Sequence, residues 1–424
     1  MLTVKFIEEN KDYVIERLAV KRFKGAEIIT QILDLDKQRR QIQSVNDNIQ
    51  AELNTIAKEI GFLFKNGKME EADTAKQRTV MLKEESKQLS ASQEDIETQL
   101  KNLLVLVPNL PHTSVPAGNG ADDNQIVRTG GSMPALDESA VPHWDLAKRY
   151  DIIDFELGNK ITGAGFPVYK GQGSKLQRAL INFFLDEGEK AGYKEYMPPL
   201  LVNEDSGYGT GQLPDKEGQM YHATLDNYYL IPTAEVPITN IWRDVIVNAS
   251  EFPIKATAYT PCFRREAGSY GKDVRGLNRL HQFDKVEVVQ IQHPLKSYDT
   301  LEEMVRYVES LVQKLELPYR ILRLCGGDMS FTSALTYDFE VYAAAQKRWL
   351  EVSSVSNFES FQANRLKLRF KEDGDKKTNL AHTLNGSALA LPRIVAALLE
   401  NNQRPEGIKI PAALIPYTRF DTIC

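Results

Sequence analysis

Cysteine is scarce in this chain. Its three copies, Cys262, Cys325 and Cys424, lie far apart and form no CxxC or Cys/His pattern. That spacing argues against a structural zinc site and for a reducing compartment. Long apolar runs are missing too: no stretch nears the roughly eighteen residues of a membrane span. The opening residues, MLTVKFIEENKDYVIERL, are charged throughout and lack the apolar centre of a signal peptide. Cytoplasm is therefore the expected compartment. Neither GxGxxG nor GKS/GKT occurs, so no Rossmann or P-loop nucleotide unit is expected. A basic surplus is absent as well, with 52 Lys+Arg against 58 Asp+Glu and a net charge of −6. Any RNA-binding face must come from how basic side chains are arranged.

At 424 residues and 42% hydrophobic, the chain can bury a large core and predicts two domains. Near its start, two stripes repeat every 3.5 residues. The first runs Ile28, Ile32, Leu35, Ile42, Ile49, Leu53, Ile56 and Ile60, with Arg39 and Asn46 as polar members. The second runs from Ala72 through Leu82, Ser86, Leu89, Ile96 and Leu100 to Val107. This period predicts a left-handed coiled coil. A turn at 61–68 and a stop at Pro108 and Pro111 make it an antiparallel hairpin, on the order of 45–50 Å long. Residues 28–105 hold 11 Lys+Arg and 13 Asp+Glu. Periodicity alone reads as a dimerisation or scaffolding coiled coil. Residues 109–142, rich in Gly, Pro, Ser and Asp, read as a domain boundary.

Residues 175–192 predict an amphipathic helix with Leu176, Leu180, Phe183, Phe184 and Leu185 toward a core, then a strand in YKEYMPPLLV. Segment 206–218, SGYGTGQLPDKEG, has four glycines and no apolar run, and reads as a mobile lid. Thr233 and Glu235 follow a strand and fit a helix N-terminus. From Pro261 to Val289, PCFRREAGSYGKDVRGLNRLHQFDKVEVV reads as two strands joined by a loop at 268–278. Phe283, Lys285, Glu287 and Val289 share one face of the second strand. Placing Arg264, Arg265, Glu266, Arg279 and Glu287 on adjacent strands is costly unless they meet a ligand or each other. A solvated hairpin with cross-strand ion pairs is the other reading. Glu351, Ser353 and Ser354 stand at a strand end, either solvated or offering hard oxygens to Mg²⁺. Finally, HTLNGSALALPRIVAALL predicts a strand that turns at Asn385-Gly386 into an apolar helix carrying Arg393. A buried arginine there needs an anionic partner or a salt bridge.

FRRE together with RGLNRLHQFDKVE resembles motif 2 of the class II aminoacyl-tRNA synthetases, and the whole string is similar to that of seryl-tRNA synthetases. The helix–strand–proline stretch ending at Pro198-Pro199 resembles motif 1, the HTLNGS…PRIV stretch resembles motif 3, and TAEVP is similar to a string of the same family. The resemblance extends over essentially the whole chain. One departure is position 364, where Asn364 precedes Arg365 although the family usually has two arginines.

The resemblance implies an α+β fold, an antiparallel sheet flanked by helices, with an N-terminal antiparallel coiled-coil arm. Residues 1–110 would be the tRNA-binding domain, its arm contacting the variable arm of the tRNA. Residues 111–424 would be catalytic, opened by His143 to Ala147. The implied reaction is ATP-dependent activation of L-serine to seryl-adenylate, then transfer to tRNA(Ser), with tRNA(Sec) an open second acceptor. A homodimer using Mg²⁺, without zinc, membrane or DNA partners, is implied as well. Arg264 would bridge the serine carboxylate and the α-phosphate, and Arg393 and Arg279 would hold the triphosphate. Thr233 and Glu235 would take the ammonium, while Glu287, Asn385 and Ser387 surround the hydroxyl. Glu266 would read the adenine over Phe283. Arg265, Glu351, Val352, Ser353 and Ser354 complete the ATP site, with Mg²⁺ at Glu351 and Ser354. Rival readings are a scaffold that has lost catalysis and a ligase loading a carrier protein. The first should have lost Arg264, Glu266, Glu287 or Arg393, and the second the arm; all are present.

Overall fold

The computed structural model of the chain describes residues 1–215, 217–266 and 275–424. These divide into two compact units, Met1–Ala19 with Phe23–Pro108, and Val20–Arg22 with Asn109–Cys424.

In the first unit, short helices α1 (Val4–Glu9) and α2 (Lys11–Val20) precede a long hairpin of α3 (Ala26–Lys65) and α4 (Met69–Leu104). The 3.5-residue stripes form its seam. Ile32, Ile49 and Ile56 of α3 and Ala72, Leu82, Ser86, Ile96 and Leu100 of α4 are buried, with Ile49, Ile56 and Leu82 in one cluster. The polar seam positions find each other: Gln50 Nε2 donates to Ser86 Oγ at 2.8 Å, and Ser86 Oγ donates to Asn46 Oδ1 at 2.7 Å. Such a layer fixes the register, because a slip would leave it unpaired. Three details differ from the sequence reading. Gly61 lies inside α3, so the turn is only Asn66 to Lys68. At 40 residues, α3 is roughly 60 Å long. And α4 stops at Leu104, its last carbonyls taken by Val105 N and Leu106 N, before Pro108 or Pro111 could block it.

The second unit is built on β1 (Gln125–Gly130), β2 (Lys194–Glu195), β3 (Ile254–Phe263), β4 (Gln282–Gln292), β5 (Tyr319–Arg323), β6 (Leu335–Ala343), β7 (Arg348–Asn357) and β8 (His382–Ala390). They form one sheet in the order β1-β5-β6-β7-β8-β4-β3-β2. Every step is antiparallel except the last, β2 against β3. The unit's helices include α5 (His143–Arg149), α6 (Phe155–Ile161), α7 (Gly171–Lys190), α8 (Glu204–Thr210), α9 (Glu235–Thr239), α10 (Ser297–Lys314), α11 (Ser360–Leu366) and α12 (Leu391–Asn401), and among the described residues four small sheets accompany the large one. Leu176, Leu180 and Phe184 of α7, Leu301, Met304 and Val308 of α10, and Ile394 and Leu398 of α12 join one core with Val286 and Val288 of β4. The alternation of β4 then turns Lys285 and Glu287 to the other face.

Several expectations change here. Segment 109–142 is no bare connection: it supplies edge strand β1, and buried Asn109 donates to Thr332 O at 2.9 Å and Phe358 O at 2.8 Å. The strand expected in YKEYMPPLLV is split into β2 and a second short strand at Leu201–Val202, since the two prolines between them cannot donate to a ladder. The first five residues of the expected lid at 206–218 belong to helix α8, capped by Asn203 Oδ1. A Cβ at Gly207 would lie 2.7 Å from Leu213, and one at Gly209 2.6 Å from Leu366, so these glycines serve close packing. Strand β8 continues through Asn385-Gly386, with the helix starting only at Leu391. Glu351, Ser353 and Ser354 lie within β7, not at its end.

Candidate active site

The polar faces of β4, β7 and β8 floor a cleft of about 640 Å³. Two irregularities shape that floor. Val352 is an extra residue in β7, where Phe339 pairs with Ser353 but Glu340 with Glu351. Between Ser387 and Ala390, β8 carries a second bulge, with Leu389 in the left-handed region at φ 71°. Bulges re-aim side chains, and both sit among the candidate residues.

At the inner end, Glu287 is almost solvent-free and pairs across the ladder with Ser387. Its carboxylate accepts from Lys285 Nζ at 2.6 Å, Thr233 Oγ1 at 3.3 Å and Ser387 Oγ at 3.4 Å. Lys285 Nζ also donates to Thr233 Oγ1 at 2.8 Å. Removing one member of such a buried pair typically costs about 3–5 kcal/mol, because the other charge is stranded. Thr233 Oγ1, just ahead of α9, accepts from Glu235 N at 3.2 Å. Glu235 Oε1 accepts from Gln362 Nε2 at 2.7 Å, and Gln362 is held in turn by Thr383 Oγ1. Burial first, and the charge of Glu287 second, push the Glu235 carboxyl up to about 7; Gln362, Lys285 and Asn385 pull the other way. Two acids with one lysine form a site that gains from a second cation.

At the outer end, the Arg264 guanidinium lies 5.2 Å from the Phe283 ring centroid, with Nε 3.4 Å from Pro232 O. Arg279 NH1 donates to Glu266 at 3.1 Å, and Glu266 sits at φ 48°. Arg393 is about a quarter exposed, not buried as its helix pattern suggested, because it stands in the first turn of α12 at the cleft mouth. Its Nε donates to Asn278 O at 3.0 Å and its NH1 to Glu351 O at 2.7 Å. Ser353 Oγ is engaged by Ser387 O, whereas Ser354 Oγ donates to Asp338. Burial, then the charge of Glu351, raise the Asp338 carboxyl well above the ordinary range. Two carboxylates and a hydroxyl are a hard-oxygen set that fits Mg²⁺, provided phosphates and water supply its other ligands. Among the described residues no three His, Cys, Asp or Glu side chains cluster as a complete metal site.

Arg265 is the one candidate outside the cleft: its side chain is exposed, and its backbone N–H donates to Gln219 O at 2.8 Å. Arg264 to Glu266 and Arg279 all lie beyond the strand ends, so the strands themselves carry only Phe283 and Glu287 of that set. Residues 268–274 of the expected loop lie outside the described residues.

Residues 221–402 match the tRNA synthetase class II core domain (G, H, P, S and T), and residues 1–111 match the seryl-tRNA synthetase N-terminal domain. The Serine--tRNA ligase of Salinibacter ruber is 49% identical over 100% of this chain and 99% of its own. The chain belongs to the seryl-tRNA synthetase family. The Serine--tRNA ligase of Prosthecochloris aestuarii is 47% identical, covering 100% of this chain and 99% of its own. A seryl-tRNA synthetase from Pyrococcus horikoshii, solved complexed with ATP, superposes with a TM-score of 0.93 at 32% identity, covering 100% of this chain and 99% of its own. Both members of the sheet-plus-arm architecture are therefore those of the family.

Lys285, Asp338 and Gln362 belong to the site and escaped the sequence reading. Lys285 was signalled by its shared face with Phe283 and Glu287. Asp338 and Gln362 carried no comparable signal, since only the pairing of β6 with β7 and the placement of α11 bring them in. Asn364, where the family usually has arginine, does not line the cleft. Its neighbour Arg365 turns inward and donates to Tyr208 O and Leu213 O.

Proposed function

We propose that this chain activates L-serine with ATP, giving seryl-adenylate and pyrophosphate, and then passes the seryl group to the terminal ribose of tRNA(Ser). The observation that carries this reading is the buried acid floor of Glu287 and Glu235, set in the same cleft as Arg264 and Arg393. Glu235 and Thr233 would take the ammonium, while Glu287, Asn385 and Ser387 surround the hydroxyl. A hydroxyl-reading carboxylate rejects alanine by leaving itself unpaired, which can discriminate by roughly 10⁴ or more. Threonine is excluded by space.

Serine's carboxylate is ionised at pH 7 and needs no base, but it must approach an anionic phosphate. Arg264, free to swing from its stack on Phe283, would bridge the two and neutralise the charge that develops. Phe283 would then lie under the adenine and Glu266 would read its amino group. Arg279 and Arg393 would hold the triphosphate. Mg²⁺ at Glu351 and Ser354, beside Asp338, would neutralise phosphate charge when bound. Ser353 and Val352 would shape the floor, while Arg265 would act from outside the cleft.

Residues 1–110 are inferred to bind tRNA and 111–424 to carry the chemistry, in a cytoplasmic homodimer that needs no zinc. Among the described residues no helix is long and apolar enough to cross a membrane. ATP–pyrophosphate exchange with each of the twenty amino acids tests the reading. A serine-only signal is expected, and no signal would favour a scaffold. Charging of tRNA(Ser) and tRNA(Sec) transcripts would then define the acceptors.

A further inference from the structure

Behind the cleft, and outside its lining, lies a buried polar cluster that none of the roles above uses. His143 opens α5 and is fully buried, as is Glu400 near the end of α12. Five donors converge on the Glu400 carboxylate: His143 N and Nδ1, Ala345 N, and Gln346 N and Nε2. On its other side the imidazole accepts, with Leu277 N–H donating to Nε2 at 2.9 Å. Nε2 therefore carries no proton, and Nδ1–H is the donor to Glu400 at 2.8 Å.

The contact with the 275–278 segment is close. A Cβ at Gly276, where φ is +67°, would lie 2.2 Å from His143 Nε2. Arg275 stacks over Trp144 at 4.5 Å, and Asn278 Nδ2 donates to Gln346 Oε1 at 2.9 Å. That segment reaches the cleft directly: Asn278 O receives Arg393 Nε, and Arg279 is the next residue. Arg393 and Glu400 lie on the same helix, seven residues or about two turns apart, so one helix anchors both ends of the chain of contacts.

We propose that His143 and Glu400 are positioning residues for the nucleotide. They hold the Leu277–Asn278 backbone so that its carbonyl fixes Arg393 and its continuation presents Arg279 to the triphosphate. The inference rests on the activation reaction proposed above. Serine lies at the other end of the cleft, against Glu287 and Thr233, and is untouched by this support.

Two substitutions at one position separate the roles of the two ring nitrogens. H143N keeps a donor near the Nδ1 position for Glu400 and removes the acceptor of Leu277 N–H. H143Q places an acceptor near the Nε2 position and loses the donor to Glu400. In serine-dependent ATP–pyrophosphate exchange, H143N is expected to raise the ATP KM about tenfold, the factor that corresponds to roughly 1.4 kcal/mol. The serine KM should stay unchanged, and H143Q should restore most of the ATP affinity even where its Tm is no higher. E400Q, nearly isosteric, should shift the ATP KM in the same direction as H143N and serves if the His143 variants fold poorly. An ATP KM that follows Tm across all three variants, or a serine KM that rises equally, would make the cluster merely structural and overturn the proposal. A wild-type enzyme without serine-dependent exchange would overturn the functional reading itself; normal wild-type exchange with unshifted variants overturns this inference alone.

Discussion

In the α3–α4 hairpin, Gln50, Asn46 and Ser86 meet within a stretch of about forty residues, and the seam around them repeats every half-heptad. In the sheet unit, Glu287 touches Thr233 from 54 residues before it and Ser387 from 100 residues after it. The first arrangement is local and periodic, with one narrow seam of Ile, Leu and Ala. The second is non-local and aperiodic, with charged groups held dry inside a continuous core. A helix pair of this kind tolerates shortening by whole turns, since each layer repeats the last. The site tolerates almost nothing, because each buried charge depends on a partner supplied from elsewhere.

The largest effect expected from testing that contrast is at Arg264. Among the described residues its guanidinium makes a long hydrogen bond to Pro232 O and stacks on the Phe283 ring, so little stability depends on that side chain. R264A should nevertheless lower serine-dependent exchange by about 10²–10³-fold, with Tm nearly unchanged. A variant that exchanges normally would remove Arg264 from the chemistry.

The hairpin should behave oppositely. Replacing residues 47–85 with a short Gly-Asn-Gly turn cuts the arm where Asn46 and Ser86 face each other and keeps the layers below. Exchange should continue at close to the full rate. Charging should fall on the order of tenfold or more through a raised tRNA KM, because phosphate and sugar contacts supply much of the affinity for structured RNA. Loss of exchange in step with charging would break the division between the two regions.

Glu287 sharpens the contrast within the site. E287Q leaves Lys285 buried beside a neutral amide, so Tm should drop while the serine KM rises on the order of tenfold or more. The ATP KM should hold. Equal rises in both KM values would make Glu287 a structural residue.

What the sequence made legible follows the same division. The hairpin's seam could be read from Ile32, Ile49, Leu82 and Ile96 because burial there depends on period alone. The face shared by Phe283, Lys285 and Glu287 was legible for the same reason. The helix at 206–210, within the lid expected at 206–218, was not legible, because glycine content signals freedom only when neighbours are distant, and Leu213 and Leu366 are close. Strand β1 was hidden by its Gly- and Pro-rich surroundings, since an edge strand needs no strong pattern. Asp338 and the His143–Glu400 pair were invisible because nothing along the chain marks which distant strands and helices will meet.

The smallest expected effect concerns Glu235, and its sign is fixed by linkage. Its folded carboxyl titrates at about 7 against an ordinary value of 4.5, with burial the first cause and Glu287 the second. Between those values the folded state holds a proton that the unfolded state has lost. The stability this contributes is fully present below about 4.5 and is lost as pH rises through about 7, a change on the order of 3 kcal/mol. E235Q is neutral at every pH and can still accept from Gln362. Its Tm should match wild type near pH 4.5, gain steadily to about pH 7, and stay ahead by a constant margin above that. Serine should reverse the order, because its ammonium favours the ionised carboxylate. At pH 8 saturating serine should raise the Tm of wild type but not of E235Q, and the wild-type serine affinity should strengthen from pH 6 to pH 8. A Tm difference that ignores pH, or an equal response of both proteins to serine, would show that Glu235 neither titrates in this range nor meets the ammonium.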